Sequence, residues 1–114
     1  METKILKRSL IDRVIEAHGR SIVGRRIAPG ARIERDGLPE DLRAVSRTVW
    51  REAVQSLVAR GLVAPIKRRG TIVRPEDAWN ILDGDLLGWL VLEGRAHDVL
   101  TELHGFRRMI EPAA

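Results

Sequence analysis

The sequence predicts a mostly helical protein with one small β-hairpin, and three observations predict it. Apolar residues recur at helical spacing in a stretch that begins at Ser46 and closes at Gly61. Two short β-branched runs, separated by a cationic turn ending in glycine, follow it directly. A short segment opened by Pro39 ends only a few residues upstream, so two helices with a tight connection precede the hairpin. A helix-turn-helix with a two-stranded wing beside it makes a winged helix-turn-helix, and further helices follow.

Placed at about 100° per residue with Arg47 at zero, Val49, Trp50, Ala53, Val54 and Leu57 fall between about 200° and 340°, and Val58 near about 20°. That is one broad apolar stripe suited to burial. Arg47, Thr48, Arg51 and Gln55 share a different arc of about 100°. Two guanidiniums, a hydroxyl and an amide thus leave one side of the helix, and such groups bind phosphates and base edges. Ser46 suits the N-cap, and Gly61 suits the position just past the C-terminus. The helix is expected over residues 47–60. A charged face alone is what any surface helix shows. The basic hairpin after Gly61 is what favours nucleic acid.

Upstream, residues 6–26 suit a first helix. Leu10, Val14, Ala17, Ser21 and Gly24 lie along one strip, flanked by Ile11, Ile15, Ile22 and Val23. Gly19 and Gly24 are weak spots, each costing about 1 kcal/mol relative to Ala. Ala28-Pro29-Gly30 is a turn, and residues 31–34 suit a short strand with Ile33 inward. A short helix is expected over residues 37–42, with Pro39 in its first turn and Glu40 and Asp41 near the positive end of its dipole. Residues 62–66 and 71–73 are the strands of the wing. Lys67, Arg68, Arg69 and Gly70 form its tip, and Pro65 confines its strand to an edge or an irregular position.

Beyond Pro75 a short helix carrying Trp79, Ile81 and Leu82 is expected. Asp83, Gly84 and Asp85 then cap a helix over residues 86–92, whose sequence LLGWLVL is apolar nearly all round and so needs burial. Gly94 ends it. Residues 96–111 suit a last helix, with Val99, Leu100, Leu103, Phe106, Arg107 and Ile110 at core-like spacing.

Charge is unevenly spread. Residues 1–42 hold nine basic and seven acidic side chains, and residues 75–114 hold three basic and eight acidic. Between them, residues 43–74 hold eight basic side chains against Glu52 alone. A field concentrated on one helix and its hairpin points to a polyanion, whereas the acidic last third must serve another purpose. A chain of 114 residues has room for one small domain and part of another. No apolar run approaches the roughly 20 residues that span a bilayer. The N-terminus lacks the apolar block and cleavage site of a secretory signal. With no cysteine, disulfides and thiolate metal sites are excluded. A cytoplasmic location with no membrane partner is therefore expected. No nucleophile–base pair, metal-ligand cluster or phosphate-cradling glycine loop is visible, so no catalytic residue, metal or cofactor is expected. His97 and His104, seven apart, read as surface or packing histidines, and His18 as ordinary.

Two stretches, VSRTVWREAVQSLVARGLV and the KRRGTIV that follows it, resemble the core of the GntR-type bacterial transcription regulators. Ala28-Pro29-Gly30 resembles the Pro-Gly before that family's first strand. Trp79-Asn80-Ile81-Leu82-Asp83, Asp85, Leu87 and Trp89 resemble the linker of its FCD (fatty-acid-regulator-like) subfamily, in particular the regulators of sugar-acid operons. Leu103, Arg107, Ile110, Glu111, Pro112 and Ala113 resemble the first helix of that subfamily's effector domain. The resemblance implies a DNA-binding domain over residues 1–75, linker helices over 76–94, and the first helix of a truncated effector domain over 95–114.

It also implies roles. Arg47 and Arg51 would contact operator DNA, Ser46 and Thr48 would lie near phosphates and bases, and Arg69 and Gly70 would form the wing tip. Gln55, Arg43, Lys67 and Arg68 complete the expected DNA-binding set. The family's second helix often carries a DNA-touching arginine. Counting back without a gap from Ser46, Gly37 stands in its place, with Arg35 and Arg43 as possible replacements. The function expected is a repressor of a metabolic, sugar-acid type operon. It would act as a homodimer on a near-palindromic double-stranded operator, with its small-molecule effector site absent from this chain. The alternative is a truncated dimerisation or interaction module acting through a longer homologue, suggested by LLGWLVL.

Overall fold

The longest element, α1 (Glu2–Val23), supplies the wall against which the rest of the chain packs. The computed structural model describes residues 2–102, with side chains from Lys4 onward. Leu103, His104, Phe106, Arg107, Ile110, Glu111, Pro112 and Ala113, on which part of the expected effector helix rests, lie outside the described residues. Five further elements follow α1: α2 (Arg47–Ala59), β1 (Val63–Ile66), β2 (Gly70–Val73), α3 (Gly84–Leu92) and α4 (Ala96–Glu102). The expected winged helix-turn-helix is present: mostly helical, with one antiparallel hairpin in the register Val63↔Val73 to Ile66↔Gly70. None of the described helices is long and apolar enough to cross a membrane.

Helix α1 starts and stops earlier than its apolar strip suggests. Its last turn closes where the Gly24 and Arg25 amides donate to Arg20 and Ile22 carbonyls, and Arg25 takes a left-handed conformation at φ 63°. Val14, Ile15, Ile22 and Val23 are buried, with Leu10, Ile11 and Ala17 packed against them. His18, expected to be ordinary, is fully buried among them. The helix expected at 37–42 is reduced to two 3-10 turns, at Arg35–Gly37 and Glu40–Leu42. Six residues with Pro39 in the middle are too few to hold an α-helix, and burial of Leu38 and Leu42 fixes the turns instead. Asp41 is tied to α1 by an ion pair with Arg13.

The strand expected over residues 31–34 is reduced to a single bridge, Arg32↔Ile72, that lays this segment along the wing. The Val73 amide donates to the Ala31 carbonyl at 2.8 Å and the Ile33 amide to the Thr71 carbonyl at 2.9 Å, leaving Ile33 buried. Strand β2 is therefore flanked on both sides. Strand β1, which carries Pro65 opposite Thr71, lies at the edge where a missing N–H is tolerated.

The residues after the wing fold back onto α1. A 3-10 turn at Glu76–Ala78, in place of the short helix expected there, leads to Trp79, which is buried and donates its indole N–H to the Arg74 carbonyl at 3.2 Å. Gly61 sits at φ 75° against this turn, and a Cβ there would run into the Ala78 carbonyl. Asp83 caps α3 as expected, accepting from the Leu86 amide at 3.0 Å. Leu86, Trp89 and Leu90 are buried, while Val91 and Leu92 stay 65% and 63% exposed. The LLGWLVL helix is thus covered on one side only. Its acidic neighbours hold it down: Glu93 receives Arg20 and Arg26, Glu76 receives Arg25 and Arg95, and Asp83 and Asp85 receive Arg60.

Gly19, a weak spot by helix propensity alone, is where α1 admits Trp89. A Cβ there would lie 2.7 Å from both Cε3 and Cη2 of the indole. Gly19→Ala should therefore lower the melting temperature. Overpacking by about 1–3 kcal/mol outweighs a helix-propensity gain of about 1 kcal/mol. Thermal unfolding followed by circular dichroism reads the sign. Adding Trp89→Leu should recover part of the loss, whereas a raised melting temperature in the single variant would show that the indole simply gives way.

Candidate nucleic-acid interface

Helix α2 is oriented by its inner stripe. Val49, Ala53 and Leu57 are buried, Trp50 and Val54 are half-buried, and Val58 is at the rim, 37% exposed. Burying three such side chains contributes several kcal/mol, at about 25 cal/mol per Å² of apolar surface, and rotation of the helix would forfeit it. Arg47, Thr48, Arg51 and Gln55 are consequently all exposed, as the spacing requires. Ser46 is the N-cap, its Oγ accepting from the Val49 amide at 3.1 Å. Its hydroxyl is thus engaged by the helix itself. The helix ends at Ala59, one residue short of the expected 60. Arg60 caps it and turns away, bonded to Ser56, Asp83 and Asp85 with its guanidinium 5.5 Å from the Trp89 ring centroid.

A groove of about 700 Å³ runs between α2 and the wing. Arg47, Trp50, Arg51, Val54, Gln55 and Val58 line one side, and Pro65 and Thr71 the other. The wing tip places Lys67, Arg68 and Arg69 in an exposed turn, closed by the Arg69 amide on the Ile66 carbonyl at 2.9 Å. Arg68 takes the left-handed conformation at φ 68°, and Gly70 follows at φ 90°. Arg43 is exposed too, but its Nε donates to the Leu38 carbonyl at 2.8 Å. Among the described residues, Arg47, Arg51, Lys67, Arg68 and Arg69 have no carboxylate within ion-pair distance, in contrast to Arg20, Arg25, Arg26, Arg60 and Arg95. Unneutralised cations over two adjacent elements are what a phosphate backbone requires.

Two further groups lie next to the groove: Arg35, one of the two possible replacements for the second helix's arginine, and His18, expected to be ordinary. Arg35 forms part of the groove's lining, with its Cζ 5.6 Å from the Trp50 ring centroid. His18 packs edge-on to the same indole, with ring centroids 5.6 Å apart. Its Nε2 lies 3.0 Å from the Glu34 carbonyl, which can only accept, so Nε2 carries the proton and Nδ1 is a buried lone pair without a partner. No cluster of His, Asp and Glu able to hold a metal occurs among the described residues. His104 lies outside them.

No family model and no solved structure matches the chain. Curated proteins do. Over 70 residues it is 46% identical to the protein named uncharacterized HTH-type transcriptional regulator YieP of Escherichia coli K12, a match covering 61% of this chain and 30% of that protein. Over 102 residues it is 30% identical to the galactonate operon transcriptional repressor of the same organism, covering 90% of this chain and 44% of the repressor. Both relatives are named as transcription regulators, the first of them as one of the helix-turn-helix type. The chain spans less than half the length of each.

Burial makes the His18 environment acid-sensitive. Desolvation holds its pKa below the ordinary 6.5, outweighing the opposing hydrogen bond to the Glu34 carbonyl. As pH falls below 6.5, the unfolded chain takes up a proton that the folded chain resists. Stability then drops by up to about 1.4 kcal/mol per pH unit until the folded pKa is reached. Glu93 is held below its usual 4.5 by hydrogen bonds from Arg26 and then Arg20, so its contribution is lost only at lower pH, as the folded carboxylate protonates. The melting temperature should therefore begin to fall at pH 6.5, and His18→Gln should flatten that first limb while leaving the acid limb. A wild-type melting temperature unchanged between pH 6.5 and 4.5 would contradict the assignment.

Proposed function

We propose that this chain carries the DNA-binding end of a GntR-type transcription regulator of the FCD subfamily, repressing an operon for sugar-acid metabolism in the cytoplasm. The observation that carries the proposal is the exposed, unneutralised face of α2 beside a cationic wing tip. Helix α2 enters the major groove, where Arg47 and Arg51 read guanine O6 and N7, Gln55 and Thr48 read neighbouring bases, and Lys67, Arg68 and Arg69 grip flanking phosphates or the minor groove. Residues 1–75 form the DNA-binding domain, residues 76–94 the linker, and residues 95–114 the start of an effector domain. A homodimer then places two α2 helices about one DNA turn apart on a near-palindromic operator. The similarity to the galactonate operon repressor supports the sugar-acid assignment, and similarity to two regulators supports a role that is not enzymatic.

One observation favours a second function. Leu82, Val91 and Leu92 are each more than 60% exposed, a bare apolar side on the linker that suits docking to a longer homologue. Solution mass tests this second reading: a soluble monomer without DNA counts against the interaction module.

The DNA-binding proposal is tested by titrating two variants against operator and random duplex. Arg51→Ala should lose about 1–3 kcal/mol of discrimination on the operator and little on random sequence. Arg69→Ala should weaken both equally and make the salt dependence shallower by about one unit of slope. Equal losses on both duplexes for Arg51→Ala would reject base reading by that residue.

A further inference from the structure

We propose that Arg35, which lies outside both the recognition helix and the wing, is a third DNA-contacting guanidinium, pre-set to take one backbone phosphate at the mouth of the α2 groove. This assignment rests on the DNA-binding function proposed above. Arg35 lies in the first 3-10 turn, twelve residues before the first residue of α2. Its guanidinium is nevertheless brought to α2 by two contacts. One nitrogen, Nη1, donates to the carbonyl of Val45, the residue just before the N-cap, and the planar group lies over Trp50. The chain then shares the groove lining with Arg47 and Arg51, and no carboxylate lines that groove.

Three like charges around one open hollow repel one another, and an anion relieves this. Arg35 has five N–H donors, of which the Val45 carbonyl takes one. A guanidinium already stacked and hydrogen-bonded loses little further side-chain freedom on binding. Its remaining donors face a groove that also holds Arg47 and Arg51, which suits bidentate capture of a phosphate. The Val45 contact fixes Arg35 relative to the N-terminus of α2, so the phosphate it holds would set the register of that helix along the duplex. Trp50 has a matching role. Packed by His18 on its edge and half-buried, it is the platform that keeps the guanidinium in place.

The test uses the full 114-residue chain and a short mixed-sequence duplex, titrated across a range of salt. Arg35→Met keeps an aliphatic stem over Trp50 and removes the charge, and Arg35→Lys restores the charge. The expected result for Arg35→Met is a plot of log K against log salt shallower by about one unit, with affinity down about tenfold at about 0.1 M salt and converging on wild type near 1 M. Arg35→Lys should recover most of the slope. A merely structural role would instead lower the melting temperature and leave the slope as in wild type. Should Arg35→Met fold poorly, Arg35→Gln, which keeps a donor for the Val45 carbonyl and removes the charge, takes its place: a slope reduced by about one unit supports the phosphate contact, and a wild-type slope in the folded glutamine variant overturns it. Wild-type protein that binds no duplex would sink the DNA-binding function itself. Wild-type protein that binds while Arg35→Met binds equally well at every salt concentration overturns the Arg35 assignment alone.

Discussion

Burial of one stripe of α2 decides where every cation on that helix points. Val49, Ala53 and Leu57 are enclosed by the core that α1 anchors, and the opposite side of a cylinder has nowhere to go but solvent. The arginines are therefore not placed by any bond of their own. They are placed by the loss of several kcal/mol that would follow if the helix turned about its axis. Trp50 is the transition between the two sides: its inner edge meets His18 and its outer face carries Arg35.

The second constraint is a sorting of charge. Among the acidic residues after the wing, Glu76, Asp83, Asp85 and Glu93 are each matched with arginines that lie outside the exposed face of α2 and the wing tip. Those pairs are partly exposed, so each contributes modestly to stability. Their larger consequence is electrostatic: they neutralise these arginines, while the exposed arginines of α2 and the cations of the wing tip keep their charge without a carboxylate partner. The Arg20–Glu93 pair, with the Arg95 guanidinium donating to the Val23 carbonyl, ties the end of α3 to α1.

Much of the candidate interface was legible because its signals are local. Helical periodicity with a Ser N-cap needs only residues 46–61, and the hairpin needs only two β-branched runs and its glycine. The illegible parts are those where the cause lies far along the chain. Gly19 weakens a helix when considered alone, and only Trp89, seventy residues later, gives it a purpose. Arg60 reads as one more cation of the recognition helix until Asp83 and Asp85 claim it. His18 gives no warning of complete burial, because a single imidazole on an apolar strip fits either side of a helix. The segment 37–42 carries helix-start residues, but its length left the outcome to the burial of Leu38 and Leu42.

By itself, the order of residues determined the class of fold, the N-cap and inner stripe of α2, the hairpin and the concentration of positive charge between residues 43 and 74. All of these follow from interactions between neighbours a few positions apart, whose geometry a regular helix or strand already specifies. Tertiary structure alone decided which cations remain free, that Arg35 joins the groove from a loop, and that LLGWLVL is covered on one side only. Those outcomes depend on distances between segments separated by tens of residues, and such distances exist only once the core has closed.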